Sequence, residues 1–427
     1  MNSLLIFIGK LITVVSRITN RGSGSTWPGH ITLSLNPNFI RQIIAENKFK
    51  TILIAGTNGK TTTGKLIQTI LKKNDMKVFQ NTAGANLLNG IASSLIFNSN
   101  LSGKIDKDFA VFEIDENTLP LILKEIANPD FIIIMNLFRD QLDRYGEVNT
   151  IAKKWSEALR TIGKNTTLIL NADDPQVAFL GKSNSNVLYF GIDSKNKTEK
   201  AQHASDSSNC PDCGGKLTYS STYFSHLGDW SCKKCGFKHP EKTITTSPIY
   251  PLPGAYNEYN TNAASLLAQV LSFNKEKVIS SLKDFKPAFG RQEKLSINGK
   301  KVQIFLSKNP TGFNESLKTI ASLKAENLLI VLNDRIPDGR DVSWIWDVDF
   351  EDFSSQFKNV TVSGDRAFDM GLRLKYAEFK NFNTAEDLPK ATKTAIDKTP
   401  ASETLYVLAT YSAMLEVRKI LTGKKIL

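Results

Sequence analysis

The chain has 427 residues, of which 41% are hydrophobic and 22% charged, and its formal net charge is +12 at pH 7. This length exceeds one ordinary domain, and the composition is typical of a protein with a full hydrophobic core. The positive charge favours anionic partners such as nucleotides, pyrophosphates or phospholipid surfaces. Because no run of basic residues interleaved with aromatic ones is present, we expect no nucleic-acid partner.

The N-terminal segment 1–17 is apolar, although Lys10 interrupts the run. It is shorter than the ~20 apolar residues that a membrane-spanning helix needs, and it lacks the features of a signal peptide. We expect residues 1–46 to form a helix and linker packed on the body of the protein. The alternative is a helix that also contacts a membrane surface. Since no other segment is long enough to cross a bilayer, we expect a cytoplasmic protein, peripheral at most at the inner face of the membrane.

A glycine-flanked motif follows an apolar run at 51–55 and is the most informative feature of the chain. Gly56 and Gly59 permit a tight turn whose N–H groups face one anion. Lys60 adds a point charge, Thr61 offers a hydroxyl to Mg²⁺, and the N-terminus of the following helix adds its dipole. The general P-loop has a further glycine where this chain has Ile54, so the motif is a shorter variant. The predicted phosphate-binding residues are Gly56, Thr57, Asn58, Gly59, Lys60, Thr61 and Thr62.

Short apolar runs alternate with helical patterns from residue 47 onward, which predicts an α/β fold with parallel sheets covered on both faces. A central ATPase-like domain is expected over 47–295, with strands at 51–55, 109–114, 130–136 and 167–171 and a helix near 258–273. A C-terminal Rossmann-like α/β domain is expected over 296–427. Its predicted strands are 302–306, 328–332, 359–363 and 405–409, and its predicted helices include 365–376 and 411–421.

All four cysteines lie within one polar segment, at about 200–245, that interrupts the central domain. They form two C-x-x-C-G pairs with an 18-residue spacer, the pattern of a zinc ribbon. We predict a structural Zn²⁺ site made of Cys210, Cys213, Cys232 and Cys235, with His226 and His239 outside it. Two disulfides are the alternative, which a cytoplasmic location disfavours. With every thiol bound to zinc, no cysteine remains as a nucleophile.

Several polar residues follow predicted strands or mark junctions. Glu113 ends the strand at 109–114, where a carboxylate beside a P-loop is a natural Mg²⁺ ligand. Asp140 and Asp143 follow the next strand, although a cap or surface role is equally compatible with Asp143. Asn257 and Asn260 share one helix face and present two amides suited to an adenine edge. Arg291 lies at the domain junction, where an arginine suits a phosphate clamp.

The order of these motifs resembles the Mur ligase superfamily, which comprises ATP-dependent enzymes that form peptide bonds. The resemblance covers about residues 47–427 and depends most on the segment Gly56–Thr62. It implies ATP and Mg²⁺ as cofactors, with Thr61 and Glu113 as magnesium ligands. It also implies catalysis in a cleft between the two domains. There a substrate carboxylate becomes an acyl phosphate, Lys60 neutralises the transferring phosphoryl group, and an amine attacks.

Four departures from the superfamily pattern narrow the resemblance. The segment before the phosphate loop has no room for a UDP-sugar-binding domain. Gln141 replaces a histidine that helps to hold a second metal, and Trp155 stands where the family has a carbamylated lysine, with Lys153 and Lys154 nearby. The fourth departure is the cysteine-rich insertion. A second Mg²⁺ ion is therefore not assigned.

The chain further resembles the MurT family, the ligase subunits of lipid II isoglutaminyl synthase. The resemblance depends on the short segment before the phosphate loop, the cysteine-rich insertion and the segment 334–351. This resemblance implies amidation of the α-carboxylate of D-glutamate in lipid II, in peptidoglycan synthesis. Ammonia would come from a GatD-type glutaminase subunit in a heterodimer. Asp349 is the predicted catalytic acid that acts on ammonia, with Asp347 as the second candidate and a capping role as the alternative. The competing functions are a ligase that adds an amino acid, as in folylpolyglutamate synthesis, and a nucleotide-switched scaffold.

Overall fold

The computed structural model describes residues 2–18, 25–81, 84–140, 147–193 and 206–423. The expected N-terminal helix is present and packs on the central domain, but the segment predicted as a linker contains two further helices. The helices before the first strand are α1 (Asn2–Ile18), α2 (Trp27–Leu35) and α3 (Phe39–Ala45). None of the helices in the described ranges is long and apolar enough to cross a bilayer.

The central domain is built on a sheet with the strand order β2-β3-β1-β4-β5-β6, in which all neighbours are parallel. Its strands are β1 (Lys50–Ala55), β2 (Val78–Gln80), β3 (Phe109–Glu113), β4 (Phe131–Ile134), β5 (Thr167–Asn171) and β6 (Val187–Phe190). Its helices are α4 (Lys60–Lys73), α5 (Leu88–Asn98), α6 (Leu119–Glu125), α7 (Val148–Leu159), α8 (Pro175–Leu180), α9 (Ala255–Val270) and α10 (Lys275–Lys283). The predicted parallel sheet and its four predicted strands are confirmed, with no end more than two residues from its predicted position.

The central sheet is buried on both faces, which explains its continuous apolar strands. Side chains alternate between the two faces of β1. Leu53 and Ala55 join a core that includes residues of α1, α3 and α5. Ile52 and Ile54 join the opposite core, which includes residues of α4 and α9. The phosphate-binding motif therefore begins at the end of a strand that is held rigidly from both sides.

The cysteine-rich insertion forms an antiparallel hairpin of β7 (Leu217–Phe224) and β8 (Leu227–Cys232). The indole Nε1 of Trp230 donates to the carbonyl oxygen of Ala172, 3.1 Å away, just after β5. Beside it, the buried carboxylate of Asp173 contacts Nε2 of His239 at 2.6 Å and Nζ of Lys242 at 2.8 Å. These contacts fix the hairpin against the central sheet.

The C-terminal domain has a second sheet, with the order β13-β12-β11-β14-β10-β9. Its strands are β9 (Arg291–Ile297), β10 (Lys300–Leu306), β11 (Asn327–Val331), β12 (Asn359–Ser363), β13 (Phe382–Thr384) and β14 (Thr404–Ala409). Its helices are α11 (Pro310–Ser322), α12 (Ala367–Tyr376), α13 (Leu388–Lys398) and α14 (Tyr411–Thr422). The sheet is parallel except for β9, which runs antiparallel to β10. Short 3₁₀ helices at Ser343–Asp347 and Phe350–Phe353 follow β11.

Candidate active site

The loop between β1 and α4 turns through two glycines with positive φ, 132° at Gly56 and 91° at Gly59. Helix α4 begins at Lys60, with Gly59 as its N-cap. A Cβ atom on Gly59 would lie 2.1 Å from Oδ1 of Asn260, so a side chain does not fit there. The loop thus presents the N-terminus of α4, with its partial positive charge, to a cavity between the domains.

Residues just after β4 hold this loop in place. The backbone N–H of Asn58 donates to Oδ1 of Asn136 at 2.8 Å, and Nδ2 of Asn136 donates to the carbonyl oxygen of Asn58 at 3.0 Å. The hydroxyl of Thr57 donates to the carbonyl oxygen of Phe138 at 3.1 Å and accepts from its N–H at 3.0 Å. The loop is therefore fixed on both sides by the neighbouring strand end, which lowers the cost of ordering it around an anion.

The ammonium group of Lys60 is buried and points back into its own loop. It donates to the carbonyl oxygens of Gly56 and Thr57 and to Oε1 of Glu116, 3.0 Å away. Burial alone would lower the pKa of Lys60, but the carboxylates of Glu116 and Glu113 outweigh it and raise that pKa above the ordinary lysine value. Lys60 is therefore held as a charged ammonium, in contact with a carboxylate, beside the phosphate-binding loop.

Thr61 and Glu113 meet at the start of α4. The hydroxyl of Thr61 donates to Oε2 of Glu113 at 2.9 Å, and Glu113 is 5% exposed. Asn81 fixes the backbone of Glu113 by accepting from its N–H and donating to its carbonyl oxygen, each at 2.9 Å. A hydroxyl and a carboxylate at a helix N-terminus are oxygen ligands of the kind that Mg²⁺ prefers, so the pair fits this ion.

The other predicted nucleotide-binding residues, Asn257, Asn260 and Arg291, line a cavity beside the loop. Oδ1 of Asn260 accepts from the hydroxyl of Thr63 at 3.2 Å, and its Nδ2 donates to Oδ1 of Asn257 at 3.2 Å. The Asn257 and Asn260 amides are therefore already hydrogen-bonded to one another and to nearby groups. Burial lowers the pKa of Arg291, and the Glu113 carboxylate opposes this effect. The residues around the cavity include Asn58, Gly59, Thr62, Phe224, Tyr256, Asn257, Asn260 and Arg291.

The C-terminal domain reaches the phosphate loop through the residues that precede α11. Lys308 forms an ion pair with Asp140 of the central domain. Nδ2 of Asn309 donates to Oδ1 of Asn58 at 3.2 Å. These contacts bring the two domains together over the loop, which places a second lysine in the cleft.

The two candidate acids differ in their surroundings. Asp349 is 8% exposed, and its Oδ2 accepts from Nδ2 of Asn314 at 2.7 Å. Asp347 lines a polar cavity together with Lys308, and its carboxylate lies 3.4 Å from the guanidinium of Arg139. The Asp349 carboxylate is therefore hydrogen-bonded to helix α11, whereas Asp347 faces the cleft between the domains.

Helix α7 carries residues at which the sequence departs from the superfamily pattern. Trp155 is fully buried, and its Nε1 donates to the carbonyl oxygen of Glu116 at 2.8 Å. Lys153 and Lys154 are exposed on the same helix. Gln141 and Asp143 lie outside the described residues. An indole thus occupies the inward position of α7.

The four cysteines form one cluster with the geometry of a metal site. The Sγ atoms of Cys210 and Cys235 are 3.7 Å apart, and those of Cys213 and Cys232 are 3.6 Å apart. Zn–S bonds of about 2.3 Å in a tetrahedron place the sulfurs about 3.8 Å apart, so the cluster fits zinc. His226 and His239 are not part of this cluster. The predicted grouping is confirmed, and its occupancy by zinc stays a prediction.

Three residues near the site were missed from the sequence. Glu116 follows Asp115 after β3, and its nearness to Glu113 was a signal that could have suggested a second inward acid. Lys308 and Phe224 come from the C-terminal domain and the hairpin. No local pattern marks them, because their position depends on how distant segments pack.

Together, the short phosphate loop, the acid at the end of β3 and the second α/β domain define a Mur ligase. Residues 54–268 match the Mur ligase middle domain, and residues 306–414 match the MurT ligase C-terminal domain. In fold, the chain is similar to a pseudomurein peptide ligase type C from Methanothermus fervidus. That similarity has a TM-score of 0.66 at 22% identity and covers 88% of this chain and 79% of the other.

Two relatives specify the family further. One is the subunit MurT of lipid II isoglutaminyl synthase (glutamine-hydrolyzing) from Staphylococcus aureus (strain COL), 34% identical with 92% of each chain covered. The other is the protein of the same description from Streptococcus pneumoniae (strain ATCC BAA-255 / R6), 32% identical over 97% of this chain and 95% of that one. The chain belongs to the MurT family of Mur ligases, and it is an ATP-dependent ligase.

Proposed function

We propose that this protein is the ligase subunit of a lipid II isoglutaminyl synthase, which amidates the α-carboxylate of D-glutamate in lipid II to D-isoglutamine. The observation that carries the proposal is the 34% identity, over 92% of both chains, to a relative described by that activity. The geometry of the phosphate loop, with Lys60 and Thr61 at the start of α4, supports the ATP-dependent half of the reaction.

In the proposed reaction, an oxygen of the substrate carboxylate attacks the γ-phosphorus of ATP, and ADP leaves. Ammonia then attacks the carbonyl carbon of the acyl phosphate, inorganic phosphate leaves, and the nitrogen loses a proton to give the amide. The loop N–H groups bind the phosphates, while Lys60 and Arg291 neutralise the transferring phosphoryl group. Thr61 and Glu113 would hold Mg²⁺, which supplies further positive charge beside the phosphates.

Asp349 is our proposed acid for the second half of the reaction, where it orients ammonia or takes its proton. Asn314 holds its carboxylate in one orientation. Lys308 lines the polar cavity that also contains Asp347, and it adds positive charge near the loop. Domain closure around these residues keeps water from the acyl phosphate.

A separate GatD-type glutaminase is proposed as the source of ammonia. All four cysteines of the chain lie in the metal-type cluster, which leaves no thiol for glutamine hydrolysis.

We place the docking surface for this glutaminase on α12, where Phe368, Leu372 and Tyr376 are 66%, 49% and 67% exposed. They recur every four residues, so they share one face of the helix. Trp346, beside Asp347, packs on Tyr376 with 5.5 Å between ring centroids. These four residues are the α12 face.

The test uses the purified chain with ATP, Mg²⁺, lipid II and ammonium, and it detects the amidated product by mass spectrometry together with ADP. We expect one amidation per ADP released, and loss of both in Lys60→Ala. ATP turnover that requires a free amino acid instead of ammonium would show the competing function, a ligase that adds an amino acid. ATP binding without turnover under any condition would favour a scaffold.

The α12 face has its own test in the heterodimer. Phe368→Ser/Tyr376→Ser should abolish co-purification with the glutaminase and the use of glutamine, while amidation with added ammonium persists. A matched control is Leu101→Ser, which alters an exposed leucine of the central domain. Retention of the glutaminase by the double variant would place the interface elsewhere.

The cysteine cluster is proposed to hold a structural Zn²⁺ ion, because four thiolates leave no open position for catalysis. A cytoplasmic location is also part of the proposal, since the proposed reaction consumes ATP.

A further inference from the structure

Helix α1 exposes apolar side chains where a surface helix normally exposes polar ones. Leu4 is 62% exposed, and Phe7, Leu11, Val14 and Val15 are each 50–53% exposed. Among the side chains described in Asn2–Ser16, Ser3 is the one other exposed residue. Successive helical residues are rotated by about 100°, so these five side chains form a single stripe about 100° wide.

The opposite side of α1 is fixed on the central domain, so the stripe has a defined direction. Leu5 and Ile6 are buried in the core. A Cβ atom on Gly9 would lie 3.0 Å from the side chain of Ile96, which shows close packing on α5. Lys10 donates to the carbonyl oxygen of Ser99 and is thereby turned toward the body. Rotation of α1 to hide the stripe would therefore expose a packed core.

Helix α2, which packs on α1, exposes two further apolar side chains. Trp27 and Leu35 are 62% and 61% exposed and lie at the two ends of the helix. Nδ2 of Asn36, just after Leu35, donates to Oδ1 of Asn2 at 3.0 Å, which places that end beside the start of α1. We call the seven exposed residues of the two helices the N-terminal apolar face: Leu4, Phe7, Leu11, Val14, Val15, Trp27 and Leu35.

The sequence of the segment that carries this face has charges of one sign, although Arg41 pairs with Glu125 at 3.5 Å. The chain contains Lys10, Arg17, Arg21 and Arg41 before its first acidic residue, Glu46. A segment of 45 residues with basic groups and no carboxylate is complementary to an anionic surface. With 17 residues, α1 is about 26 Å long, and it is not a candidate for spanning a bilayer. An apolar helical stripe with a nearby tryptophan, in a segment of basic sequence, is typical of a helix that lies in the interface of a membrane.

We propose that the N-terminal apolar face binds the surface of an anionic lipid bilayer, with α1 parallel to the membrane plane. Binding itself does not depend on the proposed function; only its purpose does, because a lipid-linked substrate would then be met at the surface where it resides. The face lies on the central domain and the α12 face on the C-terminal domain, so two different variants separate lipid binding from glutaminase binding.

The test is flotation of the purified full-length protein with vesicles of phosphatidylglycerol and phosphatidylcholine, compared with pure phosphatidylcholine. The variant Leu4→Ser/Leu11→Ser should reduce the partition coefficient by at least about tenfold, since each leucine loses apolar burial in the bilayer. The control Phe368→Ser/Tyr376→Ser, which removes exposed aromatics of the α12 face, should float like the wild type. Thermal unfolding verifies that each variant is folded. If Leu4→Ser/Leu11→Ser is not, Phe7→Ser/Val14→Ser replaces it.

Three outcomes would overturn the proposal. They are no flotation of the wild type, equal flotation of wild type and variant, and a concentration-dependent dimer that the variant loses. The dimer would show that a second copy covers the face.

Amidation assays distinguish a failure of lipid binding from a failure of the proposed function. Leu4→Ser/Leu11→Ser should slow turnover of lipid II in vesicles but not of a short-chain, water-soluble analogue. Flotation without amidation of either substrate would refute the proposed function and leave the lipid-binding face in place.

Discussion

The contact between Lys60 and Glu116 allows a sharp test of how the phosphate loop works. The side chains are 8% and 4% exposed, and Nζ lies 3.0 Å from Oε1. Lys60 has three donors, and its three acceptors are the oxygens of Gly56, Thr57 and Glu116. Lys60 must therefore give up a protein acceptor before it can contact a phosphate. We expect Glu116, an anion, to compete with the nucleotide for this lysine.

The substitution Glu116→Gln keeps the size of the side chain and an oxygen that accepts from Lys60, but it removes the negative charge. A hydrogen bond to a charged group contributes about 1.5–3 kcal/mol, but glutamine keeps part of this bond, and burial already opposes the Glu116 carboxylate by raising its pKa. We therefore expect the free energy of unfolding to fall by only about 1 kcal/mol. The nucleotide then meets no competing carboxylate. We expect its dissociation constant to fall by roughly tenfold, which corresponds to about 1.4 kcal/mol.

Urea unfolding followed by circular dichroism measures the first effect, and isothermal titration with a non-hydrolysable ATP analogue and Mg²⁺ measures the second. The control is Glu326→Gln, which neutralises an exposed partner of Lys358 and should change neither quantity measurably. If Glu116→Gln binds the analogue more weakly than the wild type, Glu116 assists nucleotide binding and does not compete with the nucleotide for Lys60. Unchanged stability would refute the value assigned to the buried pair.

The remaining predictions concern the acids, the cleft lysine and the metal. Asp349→Asn should abolish amidation while ATP binding and circular dichroism persist, whereas Asp347→Asn should retain measurable turnover; the reverse result would assign the role to Asp347. Lys308→Ala should lower kcat/KM at least about tenfold in steady-state amidation assays, because it removes a cation from the cleft, and an unchanged value would contradict that role. Cys213→Ser should lose zinc by elemental analysis and melt at a lower temperature than the wild type; undiminished zinc content would exclude this cysteine as a ligand.

The central sheet was predictable because its strands are buried on both faces and therefore read as continuous apolar runs, as in Ile52–Ala55. Strand β9 was not predicted, because Arg291–Ile297 is an edge strand with exposed polar positions and resembles a linker in sequence. The phosphate loop was predictable for another reason. Its glycines and Lys60 must be neighbours in the chain because they surround the same phosphate group. Lys308 reaches the same site from a separate domain, and only the packing of the two domains reveals it.

The hairpin insertion forms part of the wall of the active site. Phe224, in its first strand, lines the cavity beside the phosphate loop and packs on Phe138 with 5.2 Å between ring centroids. The backbone of Phe138 is hydrogen-bonded to Thr57 of that loop. The next residue, Arg139, pairs with Asp347 of the C-terminal domain. The dipeptide Phe138-Arg139 therefore links the hairpin to both the phosphate loop and the segment that carries Asp347. For this reason we expect removal of the proposed zinc ion to weaken nucleotide binding as well as stability.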